Sequence, residues 1–330
     1  MFNNKKIFIT GSEGFIGSNL VERLANENCM INCLVYYNSF NNWGWLDKLD
    51  FKKKKNINIV LGDVRDSELM LKLTKNVDIV FHLAALIGIP YSYVAARSYV
   101  ETNVLGTLNI LEACRYNSCK KLIITSTSEV YGSAIYTPID EKHPLNAQSP
   151  YSASKIAADK ISESYFNSFE LPVTIVRPFN TYGPRQSSRA IIPSVINQVL
   201  NGNKIIKVGN IYPKRDLTYV EDTVEGFLKI ANSKKTNGKL INICSNEEIS
   251  IYNLVRLIMK KMNFKGKLEI SKNRKRKELS EVNRLLGSNK LLEKIVNWKP
   301  KTLLDVALDK TIEWFKSNHK KNFKHDNYTI

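Results

Sequence analysis

Short runs of β-branched and aliphatic residues alternate with longer segments of helical period along the first half of the chain. Residues 6–10, 31–36, 57–61, 77–83, 121–126 and 173–179 are near-continuous apolar runs of strand length. Between several of them, residues 16–26, 68–75, 99–116 and 152–169 repeat apolar positions every three or four residues, which predicts helices. Strands without polar alternation are buried on both faces, and alternation with helices implies parallel pairing. The expected fold class is therefore α/β, a doubly wound parallel sheet covered on both sides. Such sheets bind ligands outside the carboxyl ends of their strands.

After about residue 180 the pattern changes. Proline, arginine and loop signals increase, and helical periods appear at 191–201, 223–231, 251–262 and 303–315. Two regions are expected: residues 1–180 as the domain of the parallel sheet, and residues 181–330 as a smaller α/β cap. The cap is expected to interleave with the last sheet strands, since no linker separates the two. No internal repeat is visible, and residues 317–330 read as a polar, frayed end.

The formal net charge of +18 raises the question of nucleic acid, but its make-up argues against it. The excess consists of 37 Lys and only 12 Arg, in short scattered clusters at 52–55, 260–261, 272–277 and 320–321. Base and phosphate readers favour the arginine fork. These lysines read as solvated faces whose field attracts phosphorylated small molecules, and no nucleic-acid partner is expected. Cys29, Cys33, Cys114, Cys119 and Cys244 form no CxxC pair, and His82, His143, His319 and His325 form no ligand cluster. Free buried thiols and no metal site are the expectation. No apolar run approaches the roughly 18 residues of a membrane span. The run at residues 7–9 is too short for a secretory signal, so no membrane partner and a cytoplasmic location are expected.

The first chemical signal is Gly11-Ser12-Glu13-Gly14-Phe15-Ile16-Gly17, between a predicted strand and a predicted helix. Gly11 suits a tight turn, Gly14 a close approach of backbone to a pyrophosphate, and Gly17 close packing of helix on sheet. The acid expected at the end of the second strand, to hold an adenine ribose, is missing from Leu34-Val35-Tyr36-Tyr37-Asn38. No Lys or Arg lies between Arg23 and Lys48 to receive a 2′-phosphate, so NAD is preferred to NADP. Asp63 can accept from an adenine amino group or cap the helix beginning near Asp66. Leu83, Ala84 and Ala85 end the fourth strand with small residues, suited either to a backbone under a nicotinamide ribose or to plain packing.

The second signal is Ser126-Thr127-Ser128-Glu129-Val130-Tyr131-Gly132 followed by Tyr151-Ser152-Ala153-Ser154-Lys155. Tyr151 and Lys155 lie four apart on one helix face. An ammonium beside a phenol is expected to lower the phenol pKa toward neutrality, making it a base for a sugar hydroxyl.

With these motifs the chain resembles the extended short-chain dehydrogenase/reductase family of NAD-dependent nucleotide-sugar epimerases and dehydratases. The likeness spans nearly the whole chain, through His82-Leu83-Ala84-Ala85, Asn103, Arg177-Pro178-Phe179-Asn180-Thr181-Tyr182-Gly183-Pro184-Arg185, Arg215-Asp216 and Asn297-Trp298-Lys299-Pro300. Residues 37–47 (YNSFNNWGWLD), 89–93 (IPYSY) and 280–282 (SEV) look closest to the NDP-N-acetylglucosamine 4,6-dehydratases of legionaminic-acid biosynthesis. The resemblance implies a Rossmann-type sheet with bound NAD, residues 1–180 as the dinucleotide-binding domain that carries the catalytic residues, and residues 181–330 as the substrate-binding cap for the nucleotide sugar. It implies cofactor contacts from Gly11, Gly14, Phe15, Ile16, Gly17, Asp63, Val64, Leu83, Ala84, Ala85, Asn103, Ser126, Tyr151, Lys155 and Pro178. Thr127 and Tyr151 would hold the sugar O4, Lys155 the nicotinamide ribose, and Glu129 would take the C5 proton. Asn180, Arg185, Arg189, Arg215 and Arg276 would contact the nucleotide sugar.

One departure stands out. Glucose-type 4,6-dehydratases carry Asp-Glu after the threonine, where this chain has Ser128-Glu129. The resemblance implies a catalytic place for Ser128, but a serine hydroxyl is too weak an acid to replace the aspartate directly, which leaves Glu129 or an ordered water to carry the proton to O6. Ser-Thr-Ser-Glu also resembles the UDP-glucuronate decarboxylases, the first alternative, followed by a 4-epimerase and, least favoured, a non-catalytic NAD(P)-binding regulator. The family also implies a homodimer packed through residues 99–116 and 152–169.

Overall fold

A computed structural model describes residues 1–49 and 56–319. The lysine runs at 52–55 and 320–321, His325 and most of the polar C-terminal stretch lie outside the described residues. In chain order the strands are β1 (Lys6–Thr10), β2 (Met30–Val35), β3 (Ile57–Leu61), β4 (Ile79–His82), β5 (Lys121–Thr125), β6 (Val173–Pro178), β7 (Asn180–Tyr182), β8 (Ile205–Val208), β9 (Lys214–Tyr219), β10 (Leu240–Ile243), β11 (Glu248–Ser250), β12 (Lys267–Ile270) and β13 (Arg284–Leu285). The helices are α1 (Phe15–Leu24), α2 (Ser67–Leu73), α3 (Ile89–Ser92), α4 (Ala96–Tyr99), α5 (Gly106–Tyr116), α6 (Pro150–Phe169), α7 (Ile191–Leu200), α8 (Val220–Ala231), α9 (Ile251–Lys261), α10 (Lys290–Val296) and α11 (Leu304–Ser317).

Seven parallel strands form the main sheet in the order β3-β2-β1-β4-β5-β6-β10. This is the doubly wound Rossmann-type arrangement, whose order reverses between β1 and β4. The six predicted strands all appear. The seventh, β10, comes from far along the chain and completes the sheet beside β6. Ile7, Phe8, Ile9, Val80, Phe81, Leu122, Ile123 and Ile124 have no exposed surface, as strands covered on both faces require.

Two differences from the sequence reading concern this frame. The helix expected over 99–116 is α4 and α5 joined by a π-helical stretch, Val100–Leu105, which turns Asn103 inward. The α/β cap expected for the second half has its strands at positions that the sequence pattern does not mark. β11, β9, β13 and β7 form a four-stranded sheet and β12 pairs with β8. These strands are two to six residues long and several are half-exposed, so they lack the apolar runs that revealed the main sheet.

All five cysteines are free and buried. Among the described residues no His, Cys, Asp and Glu cluster suits a metal ion, and no helix is long and apolar enough to cross a membrane.

Candidate active site

The motifs converge at the carboxyl ends of β1, β4, β5 and β6. The chain leaves β1 at Thr10 and turns at Gly11, whose φ is +66° and where a Cβ would meet Ala84 N at 2.7 Å. A Cβ at Gly17 would lie 2.1 Å from the Gly11 carbonyl oxygen, so α1 seats against the loop only without a side chain there. Gly14 caps α1 without a side-chain bond, leaving the N–H groups of its first turn, which opens with Phe15 and Ile16, available to an anion. A backbone cradle at the positive end of a helix dipole fits a dinucleotide pyrophosphate.

The opposite wall of this cradle is pinned by a buried hydrogen-bond chain. Thr107 Oγ1 donates to Asn103 O (2.6 Å) and so receives His82 Nε2–H (3.2 Å). His82 Nδ1 then accepts from Thr10 Oγ1 (2.8 Å), whose oxygen accepts Ala84 N–H (3.1 Å). Burial, with Lys155 nearby, holds the His82 pKa down to about 3, which keeps the ring neutral as this chain of bonds needs. It fixes the backbone at Leu83, Ala84 and Ala85. The Asn103 amide is committed to the same wall, bonding both backbone groups of Leu86 (2.8 and 2.9 Å) and Ser154 Oγ (3.0 Å).

Asp63 does not cap α2. That role falls to Asp66, which accepts from Leu69 N at 2.9 Å, whereas the Asp63 carboxylate accepts from Arg65 N, Nε and Nη2 at 2.9, 2.9 and 2.6 Å. Val64 packs against Gly106 and sends its carbonyl to Asn109 Nδ2. Pro178, the last residue of β6, sits beside Ile243 in the sheet.

A reciprocal Ser149–Ser152 capping box and Pro150 start α6, fixing Tyr151 in its first turn. β5 leads through Ser126 into a 3-10 turn, Ser128–Tyr131, capped by the Thr127 hydroxyl on Glu129 N at 3.2 Å. The buried Tyr151 phenol meets the Thr127 hydroxyl and the field of Glu129, and its ring lies edge-on to Tyr99 with centroids 6.1 Å apart. Lys155 Nζ donates to Thr125 O at 2.6 Å, and burial lowers its pKa to about 8. The expected lowering of the phenol pKa is not what the free protein shows. Burial drives the Tyr151 pKa well above 10, the Thr127 bond opposes it, and Glu129 and Tyr99 push it further up. Lys155 is turned to the end of β5, so its charge does not outweigh the desolvation of the phenol.

Glu129 faces two arginines. Its carboxylate is 3.8 Å from Arg276 Nη1, and its charge supports the buried Arg215 guanidinium, which also approaches Glu281 at 3.5 Å. Among the described residues, Arg276 Nη1 and Asn180 Oδ1 are buried without a hydrogen-bond partner, and the former leaves polar capacity beside Glu129. Asp216 belongs to the scaffold: its carboxylate accepts from Ser245 N, Ser245 Oγ, Asn246 N and Gly287 N at 2.6–3.1 Å. Arg185 is paired with Glu22 of α1 (2.5 Å) rather than with this group, and Arg189 lies near Gly88 and Tyr99. Ser128 is buried and brings no acid to Glu129.

Several participants were not singled out as site residues from sequence. Tyr99, Glu281, Asp159 and Arg177 all touch the groups above, and only Asp159, one helical turn after Lys155, carried a local signal. Tyr93 and Ser280, from two stretches noted separately in the sequence, share a hydrogen bond at 2.5 Å.

Residues 8–311 match the family described as GDP-mannose 4,6 dehydratase. A putative UDP-glucose 4-epimerase from Methanocaldococcus jannaschii is 32% identical over 95% of this chain and 99% of its own length. The human dTDP-D-glucose 4,6-dehydratase is 30% identical over 95% of this chain and 91% of its own. Among solved structures, UDP-glucuronic acid 4-epimerase from Bacillus cereus, in complex with UDP-glucuronic acid and NAD, superposes with a TM-score of 0.86 at 26% identity, covering 95% of this chain and 100% of that one. Its NAD agrees with the glycine cradle and uncapped helix found here. The chain belongs to the GDP-mannose 4,6 dehydratase family, within the NAD-dependent epimerases and dehydratases of the extended short-chain dehydrogenase/reductase type.

Proposed function

We propose that this protein is an NAD-dependent 4,6-dehydratase that converts an NDP-N-acetylglucosamine, with UDP or GDP as carrier, to its 4-keto-6-deoxy form. The observation that carries this reading is the Glu129 carboxylate, set beside Thr127 and Tyr151 and facing Arg215 and Arg276. A 4-epimerase has no need of a base at C5, whereas elimination across C5–C6 does. The sugar class is supported by the contact of Tyr93 with Ser280, which unites two stretches resembling N-acetylglucosamine dehydratases.

NAD held in the cradle supplies the hydride acceptor for C4 and the donor that completes C6, so it ends unchanged. Tyr151 takes the proton of the C4 hydroxyl, with Thr127 orienting O4 and Lys155 favouring the phenolate once the cleft is filled. The 4-keto group acidifies C5–H, and Glu129 removes that proton. Hydroxide leaving C6 takes that proton from Glu129, so one water is lost and no second acid is required from Ser128. C5 then regains a proton through Glu129, matched by the one that Tyr151 took from O4 and gives up to solvent. Arg215 and Arg276 are suited to the pyrophosphate, their charges being only partly matched by Glu129 and Glu281. The same reading includes a homodimer through α5 and α6, supported by the exposed apolar groups Leu105, Tyr116 and Phe169 on and beside these helices.

A UDP-glucuronate decarboxylase is the second reading, favoured by the lack of a carboxylate at Ser128. Mass analysis after mixing the protein with UDP- and GDP-N-acetylglucosamine and UDP-glucuronate separates them. Loss of one water from an N-acetylglucosamine nucleotide without net NADH supports the dehydratase, and carbon dioxide release from UDP-glucuronate the decarboxylase. An unchanged mass with altered stereochemistry overturns both.

A further inference from the structure

The chain lacks an acid at the end of β2, but the space beyond that strand end does not. Glu13, inside the glycine loop, extends its side chain across to β2, where Oε1 accepts the Tyr36 N–H at 3.0 Å. Ser12 Oγ, its neighbour, donates to Leu34 O at 2.7 Å, so the loop is stitched to the strand on both sides of Val35. From the other direction Trp45 N–H donates to Glu13 O at 3.1 Å, and the Trp45 indole is held edge-on by Trp314, with centroids 5.3 Å apart. The side chain is thereby fixed in place. Its second oxygen, Oε2, is screened from solvent and has no hydrogen-bond partner among the described residues.

A carboxylate oxygen in such a position lacks a donor, and buried polar groups in folded proteins are nearly always partnered. The carboxyl end of β2 in a doubly wound sheet is where an acid receives the ribose hydroxyls of a bound dinucleotide. We infer that Glu13 is this acid: it reads the adenine-ribose hydroxyls of NAD from the glycine loop and, through its charge, excludes a 2′-phosphate. The cation near Tyr36 does not reverse this preference, because Arg65 is held by the Asp63 carboxylate at 2.6 Å and approaches Glu101 at 3.7 Å. The assignment concerns cofactor selection and is independent of the reaction on the sugar.

The test is calorimetric binding to nucleotide-free full-length protein of NAD, NADP and NAD lacking the adenine-ribose 2′-hydroxyl, for wild type and Glu13→Gln. Wild type is expected to bind the deoxy analogue and NADP each about tenfold or more weakly than NAD, the scale of one hydrogen bond to a charged group. E13Q is expected to weaken NAD and to narrow both ratios. A wild type indifferent to the 2′-hydroxyl overturns the inference without any variant. So does an E13Q protein, folded by circular dichroism, that keeps both wild-type ratios or loses affinity for the three nucleotides by one common factor.

Discussion

Asp159, one turn beyond Lys155 on α6, accepts from Nε and Nη2 of Arg177 at 3.0 and 2.8 Å, and neither side chain has more than 1% of its surface exposed. The same carboxylate oxygen accepts from Ser126 Oγ at 2.9 Å, and the Arg177 guanidinium lies 4.8 Å from the centre of the Tyr131 ring. The pair thus ties α6 to β6 and to the end of β5, and places a negative charge near Lys155. That charge opposes the burial that lowers the lysine's pKa to about 8.

Removing one partner leaves the other buried and unmatched. Asp159→Ala is expected to lower unfolding free energy by about 3–5 kcal/mol, read from denaturant midpoints. Asp159→Asn keeps most of the volume but not the charge. In a variant that folds, the Lys155 pKa is expected to fall further, moving the alkaline limb of the kcat/KM profile to lower pH. A D159N profile superposing on wild type would show that the carboxylate serves packing alone.

On the proposed mechanism Tyr151→Phe removes the proton acceptor and nothing else of size. A loss of about 10²–10⁴ in kcat is expected, with NAD affinity within about threefold of wild type. Full turnover by the Phe variant would remove Tyr151 from the chemistry.

What could be read from sequence was local. The glycine loop, Tyr151 with Lys155 and Thr127 with Glu129 each lie within eight residues of chain, so spacing alone places them. Groups joined across the fold stayed hidden. Tyr93 meets Ser280 and Glu129 faces Arg276 only because β7, β9 and β13 carry the second half of the chain back over the ends of β5 and β6. The reach of Glu13 to Tyr36 N–H is hidden for a related reason: a place in the glycine loop does not tell which strand end the side chain meets. The phenol pKa went the wrong way because helical spacing establishes a shared face but says nothing of burial, the larger effect on Tyr151.

Glu129→Gln is expected to separate the two halves of the reaction. The amide retains the shape beside Thr127 but takes no proton, so C4 oxidation should persist while elimination fails. Stopped-flow absorbance should show reduced nicotinamide forming and lingering, with no water lost from the sugar by mass. E129Q turning over at the wild-type rate would exclude Glu129 as the C5 base.

The His82 chain predicts an acid dependence of stability with a definite sign. The folded ring has its pKa lowered from 6.5 to about 3 by burial. Between these values the unfolded chain holds a proton on this residue that the folded chain does not, so stability falls as pH falls through that window and is fully present above it. One proton corresponds to a slope of about 1.4 kcal/mol per pH unit. Carboxylates add their own slopes, so the comparison must be between wild type and His82→Gln. Glutamine can bond Thr10 or Thr107 but does not titrate, so the variant should be less stable at neutral pH and lose ground to acid more slowly. Urea unfolding at several pH values from about 7.5 to 5 measures both slopes. Parallel curves would mean that His82 titrates alike in the folded and unfolded chain, and that the ring is not held neutral between Thr10 and Thr107.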